Sequence, residues 1–140
     1  MHASPLLGPV VALIAWTLVM WTWMYLTRIP AIRRLRMRLD PNAPRGEQMS
    51  TLPPKVRWKA DNYNHLMEQP TIWYALVLVL AITGDTSPWS LWLAWSYVAL
   101  RVAHSLVQAL LNVIELRFAL FFLSTLPLIA LTWRAAVRVW

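Results

Sequence analysis

The sequence predicts an all-α polytopic membrane protein, a single-domain bundle of four transmembrane helices. Three observations carry this reading. The 140-residue chain is 59% hydrophobic and only 14% charged, with a mean hydropathy of +0.47. It holds ten tryptophans, the residue that collects where membranes meet water. Its apolar residues gather into stretches of spanning length, separated by turn formers.

The first helix is expected over about residues 6–27, with Trp16, Trp21, Trp23 and Tyr25 toward its far half. No basic residue precedes it, only His2, and it is longer than the apolar core of a cleaved leader, so it reads as a span. Arg28 and Ile29-Pro30 mark its arrival at the membrane surface. A basic loop over 28–57 follows. Its IRRLRMRL run suits the headgroup layer, and DPNAPRGEQMSTLPP is rich in turn formers. The second helix is expected over about 58–83. Its first half is polar (Asp61, Asn62, Asn64, His65, Glu68, Gln69), and Pro70 should kink it. GDTSP, Gly84–Pro88, is a tight turn. The third helix spans about 89–112. After a short connection at Val113–Glu115, the fourth spans about 117–137 with Pro127 at its middle.

The net charge is +7, and nine of the thirteen basic residues lie between Arg28 and Lys59. Between two apolar segments, this excess marks a cytoplasmic loop. Both termini and the GDTSP turn then face the periplasm, which suits a bacterial inner membrane. Arg134 and Arg138 on the opposite side are outnumbered. The basic balance does not indicate nucleic acid, because no basic–aromatic platform or recognition fold accompanies it. The chain has no cysteine, which excludes disulfides, a thiolate nucleophile of its own and Cys-based metal sites.

The third helix carries a polar ladder. Tyr97, Arg101, His104, Gln108 and Asn112 follow one another at steps of four, three, four and four, so they share one face. An arginine at apolar depth is costly unless it faces protein, water or ligand. Arg101 lies roughly 18 Å into its helix, and the ladder continues toward the cytoplasmic side. Asn62, His65 and Glu68 or Gln69 form a second stripe at that depth, and Arg117 opens the fourth helix there. Each residue also has a structural explanation. Arg101 with Glu68 could be an ion pair between helices. His104 could be a packing residue, Gln108 and Asn112 could bond backbone carbonyls, and Arg117 could reach for the headgroups. Their coincidence at one depth favours a pocket for a small polar anion. Arginine supplies fork donors for carboxylates, and a guanidinium beside a thiol favours the thiolate. No HExxH pair, phosphate loop or serine elbow is present, and two histidines make no convincing metal site. A proton- or ion-conducting bundle using Glu68, Arg101 and His104 is a further alternative.

Two segments resemble a known family. NYNHLMEQPTIWYAL (Asn62–Leu76) is similar to the second-helix motif of the MAPEG family, membrane-associated proteins in eicosanoid and glutathione metabolism. LRVAHSLVQALLNVIELRFALF (Leu100–Phe121) resembles its third helix and the arginine after it, and NVxxRF (Asn112–Phe118) resembles the bacterial branch. The resemblance covers nearly the whole chain. It implies a homotrimer that binds glutathione as co-substrate between protomers and acts on hydrophobic small molecules from the lipid bilayer as a transferase or peroxidase. Arg117 would be the catalytic residue that activates the thiol. Asn62, His65, Glu68, Arg101, His104, Gln108 and Asn112 would contribute to the glutathione site, and no metal is implied. The sequence departs from the family pattern at His65, where asparagine is usual, and at Gln108 and Phe121, where eicosanoid enzymes place tyrosines. Phe118 stands in place of a serine beside the arginine. Because the family includes a non-enzymatic lipid-presenting member, a non-catalytic membrane subunit is the rival expectation.

Overall fold

The computed structural model describes residues 3–140; Met1 and His2, which entered the reading of the N-terminus, lie outside them. The described chain is helical, with no strand. Helix α1 covers Leu7–Arg34 and passes the expected end at Thr27. Pro30 leaves one carbonyl without its helical partner, a loss that helices at membrane depth tolerate when neighbouring groups compensate. Thr27 turns its hydroxyl back onto the carbonyls of Trp23 and Met24, both at 3.0 Å. The helix closes where Arg36 adopts φ 48° and the Met37 N–H reaches the Ile32 carbonyl at 3.2 Å, a left-handed cap.

In the basic loop, one helical turn, α2 (Glu47–Ser50), follows Gly46 at φ 86°. Gln48 ties this turn to the strand of chain before it. Its Nε2 donates to the Arg38 carbonyl, and its Oε1 accepts from the Asp40 N–H.

The expected second helix is two helices, α3 (Pro54–Leu66) and α4 (Gln69–Ile82). It starts earlier than Trp58 because Pro54 sits at a first-turn position, where a missing N–H costs nothing. It breaks at Met67–Glu68 instead of bending. Pro70 has no N–H for the Leu66 carbonyl, and its ring would strike that carbonyl in a continuous helix. The chain therefore stops, turns at Glu68 (φ −90°, ψ −102°) and restarts.

Helix α5 covers Pro88–Leu110 and α6 covers Ile114–Val139. The connection is Leu111–Val113, earlier than expected. Asn112 takes φ 52° and its N–H bonds the Val107 carbonyl at 2.7 Å. Asparagine adopts this left-handed conformation more readily than most residues.

The helices pack around Leu13, Trp73, Val77, Leu80, Ala94, Tyr97 and Leu131, all fully buried. Large apolar residues on the outer faces, such as Val11, Ile72, Phe118 and Ile129, stay exposed. Three helical segments are long and apolar enough to cross a membrane: Leu7–Arg34, Pro54–Ile82 and Ile114–Val139. Apolar outer faces of that length fit a lipid surrounding. Helix α5 has 23 residues but carries the polar ladder and is not among the three.

Candidate functional site

Four rungs of the ladder line one buried wall of α5. Tyr97 and Arg101 are fully buried, and His104 and Gln108 are 3% exposed. The side chains are held by aromatic contacts. Tyr97 stacks on Trp73 at 5.0 Å, and its hydroxyl donates to Gln69 Oε1 at 3.2 Å. Gln69 in turn donates to the Thr125 hydroxyl on α6 at 3.0 Å, so this one side chain joins three helices. The guanidinium carbon of Arg101 lies 5.9 Å from the Tyr97 ring centre and 5.6 Å from that of Phe121. The fifth rung, Asn112, leaves the ladder because α5 ends before it.

The break between α3 and α4 supplies the opposing wall. In an unbroken helix the His65 carbonyl would accept from the Gln69 N–H. Here it receives the Arg101 Nη2 at 3.2 Å. A cation thus meets the negative end of α3, where the helix dipole favours it. The other guanidinium nitrogens, Nε and Nη1, are buried without a partner among the described residues. Asn62, fully buried on α3, has both side-chain polar atoms unpartnered, and so does Gln108 at its Oε1. Of the stripe expected to run through Asn62, His65 and Glu68 or Gln69, only the first two lie on α3; Glu68 falls in the break, and Gln69, the first residue of α4, meets the ladder at Tyr97. The carboxylate of Glu68 bonds His65 Nδ1 at 2.8 Å and is mostly exposed. It forms no ion pair with Arg101.

Arg117 lies one turn into α6, beside a cleft of ≈ 350 Å³ that it lines with His65, His104, Phe118, Phe121 and Ile114. Its Nη1 donates to Asn112 Oδ1 at 2.6 Å, so the residue that ends α5 also aims this arginine. Its Nε is buried and unpartnered. The His65 and His104 rings lie against each other with centres 4.8 Å apart and planes tilted by 35°, and Phe121 closes on His65 at 5.3 Å. The cleft therefore combines one free guanidinium edge, two imidazoles and hydrocarbon walls. This arrangement suits an anionic or polarisable head on an otherwise apolar ligand.

The roles of Gln69 and Phe121 are not legible from ladder spacing. Gln69 shows only as an alternative to Glu68 in the stripe, and Phe121 only through the family resemblance, as a position where a tyrosine is usual. At the opposite end of the bundle, the sequence reading also missed a buried acid. Asp85, between α4 and α5, is 1% exposed. It accepts from the Ser87 N–H at 2.9 Å and from the Ser90 hydroxyl, and faces Arg138 and Arg134 at 3.4 and 3.6 Å. Burial pushes its carboxyl up, but the two hydrogen bonds and the two arginines outweigh it and hold the group below the usual carboxylate range. The readable signal was Arg134 and Arg138 four apart on one helix face, near an Asp in a tight turn.

Helices with lipid-length apolar faces around a buried polar wall define an integral membrane protein of the helical-bundle class. A family model described as the MAPEG family matches residues 6–137. The chain belongs to the MAPEG family and so to the membrane proteins of glutathione and eicosanoid metabolism. Comparison with curated proteins returns no match, and comparison with solved structures returns none.

Proposed function

We propose that this protein binds glutathione and adds its thiolate sulfur to lipophilic electrophiles with release of a proton, or uses two glutathiones to reduce a lipid-soluble peroxide to the alcohol and water with formation of the disulfide. The observation that carries the reading is Arg101. A fully buried guanidinium with two unpartnered nitrogens is a costly arrangement for packing alone, and it fits a carboxylate ligand well. Asn62 and Gln108 add unpartnered amide atoms for the peptide groups. Glutathione has carboxylates, amides and a thiol, which matches this set of donors and acceptors. Arg117, at the cleft, stabilises the thiolate as it forms. Phe118, Phe121 and Ile114 offer the electrophile a hydrocarbon surface continuous with lipid. Glu68, expected to anchor the tripeptide, bonds His65 through one carboxylate oxygen and orients that ring.

The reading extends to assembly and placement. The exposed apolar faces accommodate a homotrimer as well as lipid. Helix α5, roughly 35 Å long at its 23 residues, completes a fourth crossing. The basic loop then lies in the cytoplasm and both termini in the periplasm of a bacterial inner membrane. Purified protein should be retained on glutathione-agarose and should conjugate chlorodinitrobenzene. Replacing Arg117 with alanine should lower the turnover about 10²–10³-fold, and unaltered turnover would remove its assigned role.

A second reading, a non-catalytic lipid-binding subunit, draws on the hydrocarbon character of Phe118 and Phe121, which leaves Arg117 without a neighbouring hydroxyl. No thermal shift with glutathione, together with co-purification in a larger complex, would favour it.

A further inference from the structure

We propose that the cleft between the end of α1 and the start of α3 binds one anionic phospholipid. Helix α1 has 28 residues, roughly 42 Å, against a hydrocarbon core of about 30 Å, so its last turns stand at headgroup depth. Leu26, Pro30 and Arg34 recur every four residues there and share one face. Together with Leu35 they form one wall of a cleft of ≈ 490 Å³, closed on the other side by Pro53 and Val56. From Leu26 to Arg34 the helix rises roughly 12 Å. The deep end is apolar and the shallow end carries a guanidinium, which is the order of groups along a phospholipid from acyl chain to phosphate.

The charge distribution says which phospholipid. Residues 28–59 hold nine basic side chains and two acidic ones, Asp40 and Glu47, an excess of seven. That equals the net charge of the whole chain; elsewhere four bases meet four acids. The three ion pairs among the described residues, His65–Glu68 and the two on Asp85, all lie outside this segment. Arg28 and Arg57, next in sequence to the cleft residues Thr27 and Val56, bury an Nε without a partner. Among the described residues, no carboxylate pairs with a base of this segment. At this depth the lipid phosphates supply counter-charge, and a headgroup without an ammonium does so without repulsion.

The test uses the full-length protein in mild detergent, with bound lipid counted by native mass spectrometry during titration with phosphatidylglycerol or phosphatidylcholine. One phosphatidylglycerol per chain should be retained, at least about fivefold more tightly than phosphatidylcholine. Arg34→Gln should weaken it about fivefold, whereas Arg33→Gln, which removes the same charge one residue off the cleft, should change it less than about twofold. Val56→Trp fills the cleft without altering charge and should abolish retention. Equal losses in the two arginine variants would show diffuse attraction to the basic loop and overturn the proposal. So would unchanged retention in Val56→Trp, or equal retention of the two lipids. The arginine pair, both exposed, decides the matter even if the tryptophan variant does not fold.

Discussion

Replacing Arg101 with methionine separates a ligand-binding arginine from a structural one. The guanidinium makes one hydrogen bond, to the His65 carbonyl, and two contacts over aromatic rings. A hydrogen bond from a charged donor contributes about 1.5–3 kcal/mol, and each ring contact about 0.5–1 kcal/mol. Against this stand two buried nitrogens without partners, at about 1–3 kcal/mol each. The sum is close to zero. Methionine is apolar, unbranched and adaptable, so it should fill much of the space at little cost. Without ligand, Arg101→Met should therefore shift stability by less than about 2 kcal/mol, in either direction. Glutathione affinity should instead fall about 10–100-fold, the loss expected when charge-assisted bonds to a carboxylate disappear. Unfolding in detergent micelles, followed with and without glutathione, reads both quantities. A loss above about 3 kcal/mol in the ligand-free protein, with the glutathione shift intact, would make Arg101 a structural cap and refute the reasoning.

Two further predictions follow from the ends of the bundle. Asn112→Gly keeps the left-handed turn without strain but removes the acceptor that aims Arg117. Stability should change by less than about 1 kcal/mol, while conjugation slows about tenfold with glutathione affinity retained, as steady-state kinetics with binding measurements will show. Asp85→Asn removes the charge that Arg134 and Arg138 face and should cost about 1–3 kcal/mol. Because the Asp85 carboxyl is held below its ordinary range, its stabilisation is complete above that range and is lost as pH falls through the lowered value. Acid unfolding curves should therefore flatten in Asp85→Asn relative to the parent below about pH 4. Parallel curves would assign the acid sensitivity elsewhere.

The fold class was legible because hydropathy and helical spacing are properties of short segments. The wall formed by Tyr97, Arg101, His104 and Gln108 was readable for the same reason: it is one face of one uninterrupted helix. Reading failed where backbone geometry intervened. Asn112 continues the spacing of the ladder, but spacing carries no information about where a helix closes, and its left-handed conformation takes it out of register. Glu68 fits an i, i+6 stripe only if the helix survives Pro70, and it does not. Asp85 was missed because its partners, Arg134 and Arg138, come from the far end of the chain. No local pattern connects a turn to a helix about fifty residues later.

The short link at Leu111–Val113 also bears on how the protein is made. Helices α5 and α6 are fastened at both ends, by Arg117 to Asn112 beside the link and by Arg134 to Ser90 at the open end. Alone, α5 is a poor substrate for membrane insertion, since an arginine at the centre of a helix costs about 2.5–3.5 kcal/mol on the translocon scale. If α5 makes the proposed fourth crossing, it would enter with the apolar α6 as half of a hairpin whose partner carries the insertion energy. Ribosomal synthesis would have to deliver most of α6 before α5 commits to the bilayer. On that route the arginine of α5 would not have to face lipid alone.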